Sequence, residues 1–89
     1  MFGMQFRHRR CSPHQPAPPV ERLDEGFEDQ VYRIVANPDR QSREMGFFPG
    51  VTVRVLRNVG GEHGLVVAAG EARYVMARKA ARAIRVEAG

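Results

Sequence analysis

Tryptophan is absent from this 89-residue chain, cysteine occurs once, and no apolar run approaches the roughly 20 residues that a membrane-spanning helix needs. A soluble chain is therefore expected. The lone Cys11 excludes an internal disulfide and fits a reducing compartment. Residues 1–20 contain Arg7, Arg9 and Arg10 but lack the apolar centre of a secretory signal, so a cytoplasmic location is expected. Also missing are the constellations of catalysis: a nucleophile with its base, paired acids, or a phosphate-binding loop. Gly60-Gly61-Glu62-His63-Gly64 lacks the Lys-Ser/Thr ending of such a loop and reads as a hairpin turn. The chain is expected to be neither an enzyme nor a GTP binder.

What remains is short and unevenly charged. Eighty-nine residues hold one domain at most. Residues 1–20 carry three basic side chains and no acid, residues 21–70 six basic and eight acidic, and residues 71–89 five basic and two acidic. The net charge of +4 therefore sits at the two ends. Four of the six prolines (Pro13, Pro16, Pro18, Pro19) lie in residues 1–19, which read as a flexible Pro/Arg-rich arm ahead of a folded domain over 20–89.

Phe27 to Val35 is rich in β-formers and reads as the first strand, although its alternation is imperfect. Asn37-Pro38-Asp39 then opens a short helix, with Asn37 as N-cap, Pro38 at the first helical position and Asp39 in the first turn. Gly46 follows that helix where a left-handed residue is needed, and Pro49-Gly50 fits the two central positions of a type II turn. Val51, Val53 and Val55 alternate with polar residues as a half-buried strand. Leu65-Val66-Val67 forms the next strand, Ala68-Ala69-Gly70-Glu71 turns, and Ala72 to Met76 is a strand with Tyr74 and Met76 opposite Val75. Arg78 to Arg82 predicts about one helical turn, and Ile84-Arg85-Val86 a closing strand. The fold class is mainly β: a small SH3-like five-stranded barrel with one short helix after the first strand and a helical turn before the last.

The run Met45-Gly46-Phe47-Phe48-Pro49-Gly50-Val51-Thr52-Val53-Arg54-Val55 resembles the signature of the FeoA family, the small cytosolic proteins of bacterial ferrous iron uptake. Tyr74 to Val86 resembles the family's closing strand, Ala-containing helical turn and Ile-x-Val strand, so the likeness covers about residues 21–88. Two features depart from the pattern. Ser42 stands where the family usually has an apolar residue, which predicts thinner packing under the helix, and the 1–19 arm has no counterpart. Twenty residues are too few for the helix-turn-helix that precedes the related repressor domain, so the likeness points to the transport protein. It implies a non-enzymatic accessory protein that docks on the cytosolic GTP-hydrolysing part of the ferrous iron permease, with no required cofactor.

The candidate contact surface is Met45, Gly46, Phe47, Phe48, Pro49 and Gly50, together with basic residues of the last third. Both rings are hard to bury at once in so small a core, and two readings stand side by side: the pair serves the core alone, or one of Phe47 and Phe48 faces a partner. Arg73, Arg78, Lys79, Arg82 and Arg85 form a basic cluster, of which Arg78, Lys79 and Arg82 are the candidates for contact. A solvated face is the ordinary reading of such a cluster, and the lack of interleaved aromatics argues against nucleic acid. His8, Cys11 and His14 recur every three residues and suit a divalent metal such as iron or zinc, but a closed site wants four ligands, and the fourth candidate, His63, lies in a distant loop. Two alternatives stand beside docking: a basic barrel that binds nucleic acid, prompted by a sequence pI of about 10.2, and a metal sensor or carrier that uses the arm. Exposed strand edges leave a homo-oligomer open.

Overall fold

The computed structural model describes residues 18–89. A single 3-10 turn, Leu23–Glu25, leads into five strands: β1 Val31–Ala36, β2 Thr52–Arg57, β3 Gly64–Ala69, β4 Ala72–Ala77 and β5 Arg85–Ala88. Helix α1, Arg40–Glu44, joins β1 to β2, and helix α2, Arg78–Ala83, joins β4 to β5. The strands form one antiparallel sheet in the order β4-β3-β2-β1-β5. Register shifts between Ile34 and Ala36 and between Val55 and Arg57 mark bulges, which bend and twist strands so that a small sheet can curl on itself. The result is the expected small SH3-like barrel. Its inner face gathers Tyr32, Ile34, Val53, Val55, Leu65, Val67, Met76 and Val86 into one core, with Leu23, Phe47, Ala81 and Ile84 supplied by the connections.

The free edge of β5 is covered locally. Arg22 bridges Arg85, the Leu23 N–H donates to the Ile84 carbonyl, and the Val86 N–H donates to the Glu21 carbonyl. Leu23 is thereby pinned into the core, and its 3-10 turn packs on α2.

Three local expectations need correction. The first strand starts at Val31, not Phe27: residues 27–30 form a turn in which the Gln30 N–H donates to the Phe27 carbonyl and Asp29 takes a φ of 68°. Ala68 and Ala69 belong to β3, so the hairpin turn is only Gly70-Glu71. The N-cap of α1 is Asp39, whose carboxylate accepts the Ser42 N–H at 2.9 Å. Asn37 is instead buried, donating to Ser42 Oγ at 2.8 Å and to the Phe47 carbonyl at 2.9 Å, while its Oδ1 accepts the Asp39 N–H. Ser42 is therefore not a gap in an apolar layer. It is a buried hydroxyl matched to a buried amide, which satisfies both groups and ties α1 to the segment that leaves β1.

The α1 cap carries a pH prediction. The Ser42 N–H, with help from its side chain and from the charge of Arg43, holds the Asp39 carboxyl below its ordinary value. A depressed carboxylate contributes stability above the unfolded value of about 4, and that contribution is lost as pH falls through the lower folded value. Asp39→Asn keeps a capping oxygen but does not titrate. The stability difference between wild type and D39N, read from urea unfolding at a series of pH values, is expected to favour wild type at neutral pH and to shrink below about pH 4. A difference that stays constant with pH contradicts the cap.

Candidate functional site

The chain between α1 and β2 is fixed almost entirely by its backbone. Gly46 has a φ of 109° and its N–H donates to the Arg43 carbonyl, while the Phe47 N–H donates to the Ser42 carbonyl. These two bonds are the Schellman arrangement that ends a helix with a left-handed residue. Two residues on, the Val51 N–H donates to the Phe48 carbonyl across Pro49-Gly50, with Gly50 at a φ of 93°, as a type II turn requires. The Gly50 N–H reaches the Ile34 carbonyl at 2.7 Å, so the turn is bolted to β1.

Those constraints send the two phenylalanines in opposite directions. Phe47 is 0% exposed, and its ring meets Tyr74 edge-on at a centroid distance of 5.1 Å. Phe48 is 51% exposed. The ring of Phe47 thus has no surface to offer a partner, whereas Phe48 stands on a rigid turn beside Pro49. Met45 is exposed too, but it lines a different depression, with Val75 and Ala80. The contiguous run Met45 to Gly50 therefore presents two separate surfaces divided by a core residue.

The basic candidates also separate. Lys79 and Arg82 are exposed on α2. Arg78 turns inward, where its guanidinium donates to the Glu62 carbonyl (2.9 Å), the Val59 carbonyl (3.1 Å), Asn58 Oδ1 (2.9 Å) and the Asp24 carbonyl (3.4 Å). Its backbone N–H donates to the His63 carbonyl at 2.7 Å. Arg78 is a structural cross-link between α2 and the loops around it, with its donors directed at protein acceptors instead of an incoming partner.

Pro49 and Arg82 do meet. They line one groove of about 620 Å³ together with Val35, Ala83, Arg22 and Arg85. Pro49 also lines a neighbouring depression of about 390 Å³ with Phe48, Arg40 and Arg43. Val35 and Arg22, which line this groove, are not singled out by the sequence. The available signal for Val35 was its outward place in the alternation of β1, since Tyr32 and Ile34 take the inward places.

His63 is exposed, and among the described residues no group of three or more His, Cys, Asp or Glu is arranged to hold a metal ion. His8, Cys11 and His14 lie outside the described residues. No described helix is long and apolar enough to cross a membrane.

Fold and surface define a small SH3-like module whose prominent features are a rigid apolar turn and an arginine-lined groove. The FeoA domain model matches residues 19–88, and the chain belongs to the FeoA family. No curated protein and no solved structure matches it in the corresponding comparisons. Membership places the chain among small accessory domains of ferrous iron transport.

Proposed function

We propose that this protein is a non-enzymatic adaptor that acts in the cytoplasm by docking on the cytosolic GTPase part of the ferrous iron permease. The observation that carries the reading is the exposed Phe48 ring held on the Pro49-Gly50 turn. An aromatic presented by a backbone with little freedom loses little entropy on binding, which is what makes such residues efficient anchors. The family supplies the process, and the geometry supplies a surface suited to a protein partner.

Phe48→Ala removes the ring and leaves the turn, because neither the Gly50 conformation nor the Val51 to Phe48 hydrogen bond depends on the side chain. Binding of the full chain to the purified cytosolic domain of the permease, measured by calorimetry, is expected to weaken by tenfold or more on the scale of an interface anchor. Circular dichroism and the thermal midpoint should stay near wild type. Unchanged affinity in a folded F48A protein removes the proposed contact.

A further inference from the structure

We infer that the groove beside Pro49 is a binding site for an acidic peptide segment that carries apolar side chains; this deepens the docking reading above and rests on it for the identity of the partner. Val35, Pro49 and Ala83 give the groove its apolar lining, and Arg22, Arg82 and Arg85 give it charge. Val35 is 51% exposed, and the register shift between Ile34 and Ala36 falls at its position in β1. Bulges of this kind often re-aim side chains at binding surfaces.

The arginines are not equivalent. The Arg22 Nε lies 3.1 Å from Asp24 Oδ1 and its Nη2 lies 3.3 Å from Glu25 Oε2, whereas the Arg82 Nε lies 4.0 Å from Asp24 Oδ2. The Asp24 side chain is only 10% exposed, so it orients two guanidiniums from behind. Arg85 makes no ion pair among the described residues. It is the cation left over for an incoming carboxylate, which a guanidinium can take with two parallel hydrogen bonds.

Charge and chemistry narrow the occupant. The chain's own residues 1–17 carry Arg7, Arg9 and Arg10 and no acid, so they lack the charge that complements the groove. Its acidic stretch, residues 21–29, is folded against the barrel with Leu23 and Glu28 buried, which removes it as a ligand from a second copy. Among the described residues no aromatic lines the groove, so these residues offer no stacking platform for nucleic acid bases. A partner segment with Asp or Glu beside small or branched apolar residues meets both halves of the lining.

The test is a selection of random 12-residue peptides displayed on phage against the immobilised full chain, with recovered peptides synthesised and titrated by fluorescence anisotropy. The expected result is enrichment of acidic peptides with flanking apolar residues. Their affinity should fall tenfold or more in Arg85→Glu and in Arg82→Glu, and stay unchanged in Arg73→Glu, whose side chain is exposed on β4 outside the groove. Circular dichroism establishes that each variant is folded. Failure to enrich any peptide overturns the inference, as do enriched peptides without acids or with full affinity for both groove variants. An oligo(dT) 20-mer or phosphatidylglycerol vesicles that bind through Arg85 more tightly than any peptide also overturn it. The same variants are then titrated with the permease domain. Wild-type binding that ignores R85E and R82E sinks the groove and spares permease docking, whereas acidic peptides that depend on Arg85, with no binding of the permease domain, sink the permease and spare the groove.

Discussion

Phe47→Ala is expected to destabilise the fold by about 3–5 kcal/mol, the largest effect of any single truncation in the Met45 to Gly50 run. Phe47 heads the buried side chains by volume, it is fully enclosed, and its ring packs edge-on against Tyr74. Two neighbours limit collapse into the space left behind. The Phe47 carbonyl is held by the Asn37 amide, and the Phe47 N–H is held by the Ser42 carbonyl at the end of α1, so the backbone cannot follow the missing ring inward. A cavity that fails to close costs more than transfer of the lost atoms alone. For a domain of this size each kcal/mol moves the thermal midpoint by roughly 4–8 °C, so F47A should melt at least ten degrees below wild type. Phe48→Ala is the matched control, because its half-exposed ring should change stability by no more than about 0.5 kcal/mol. The pair separates a buried residue that holds the fold from the proposed docking residue one position apart. Equal melting temperatures for F47A and F48A would remove the division of labour.

That division was only half visible in the sequence. Gly46 and Pro49-Gly50 were legible because their demands are local: a left-handed helix end and a type II turn each need a particular residue at a particular place. The valine alternation of β2 and the opposition of Met76 to Val75 in β4 were legible for the same reason, since a period of two is a property of one strand. Which phenylalanine turns inward depends on Tyr74, which lies in another strand, and no local pattern encodes that. Asn37 reads as a helix cap because asparagine is good at capping, but the fold spends its amide on Ser42 and Phe47 and leaves the cap to Asp39. Arg22, Val35 and Arg85 come from three separate segments, so the groove they share with Pro49 exists only once β5 has paired with β1.

In the sequence Arg78 reads as a surface cation because it falls in a basic run, and no local pattern singles out Asn58. Together they hold the loops at one end of the barrel. Asn58 is 0% exposed; its amide donates to the Gly26 carbonyl at 2.7 Å and to the Asp24 carbonyl at 3.0 Å, and its Oδ1 accepts from Arg78. Its backbone N–H donates to Glu28 Oε2 at 2.9 Å, a bond that a side-chain substitution leaves in place. Asn58→Ala deletes three hydrogen bonds at once, depriving the buried Gly26 carbonyl of this donor. An unsatisfied buried polar group costs about 1–3 kcal/mol, so a loss of about 3 kcal/mol in unfolding free energy is expected. Asn58→Asp discriminates the cause: it preserves the acceptor for Arg78 but places a carboxylate oxygen against two carbonyls, so it should be at least as damaging as alanine near neutral pH. Urea unfolding of the three proteins measures this directly. If N58D were instead as stable as wild type, the Arg78 contact alone would account for the site and the two carbonyl bonds would contribute nothing. The expected order, wild type well above both variants, would mean that the segment carrying Arg22 and Asp24 is positioned by a residue 34 positions away from Asp24, and that the arginine groove inherits its geometry from this buried amide.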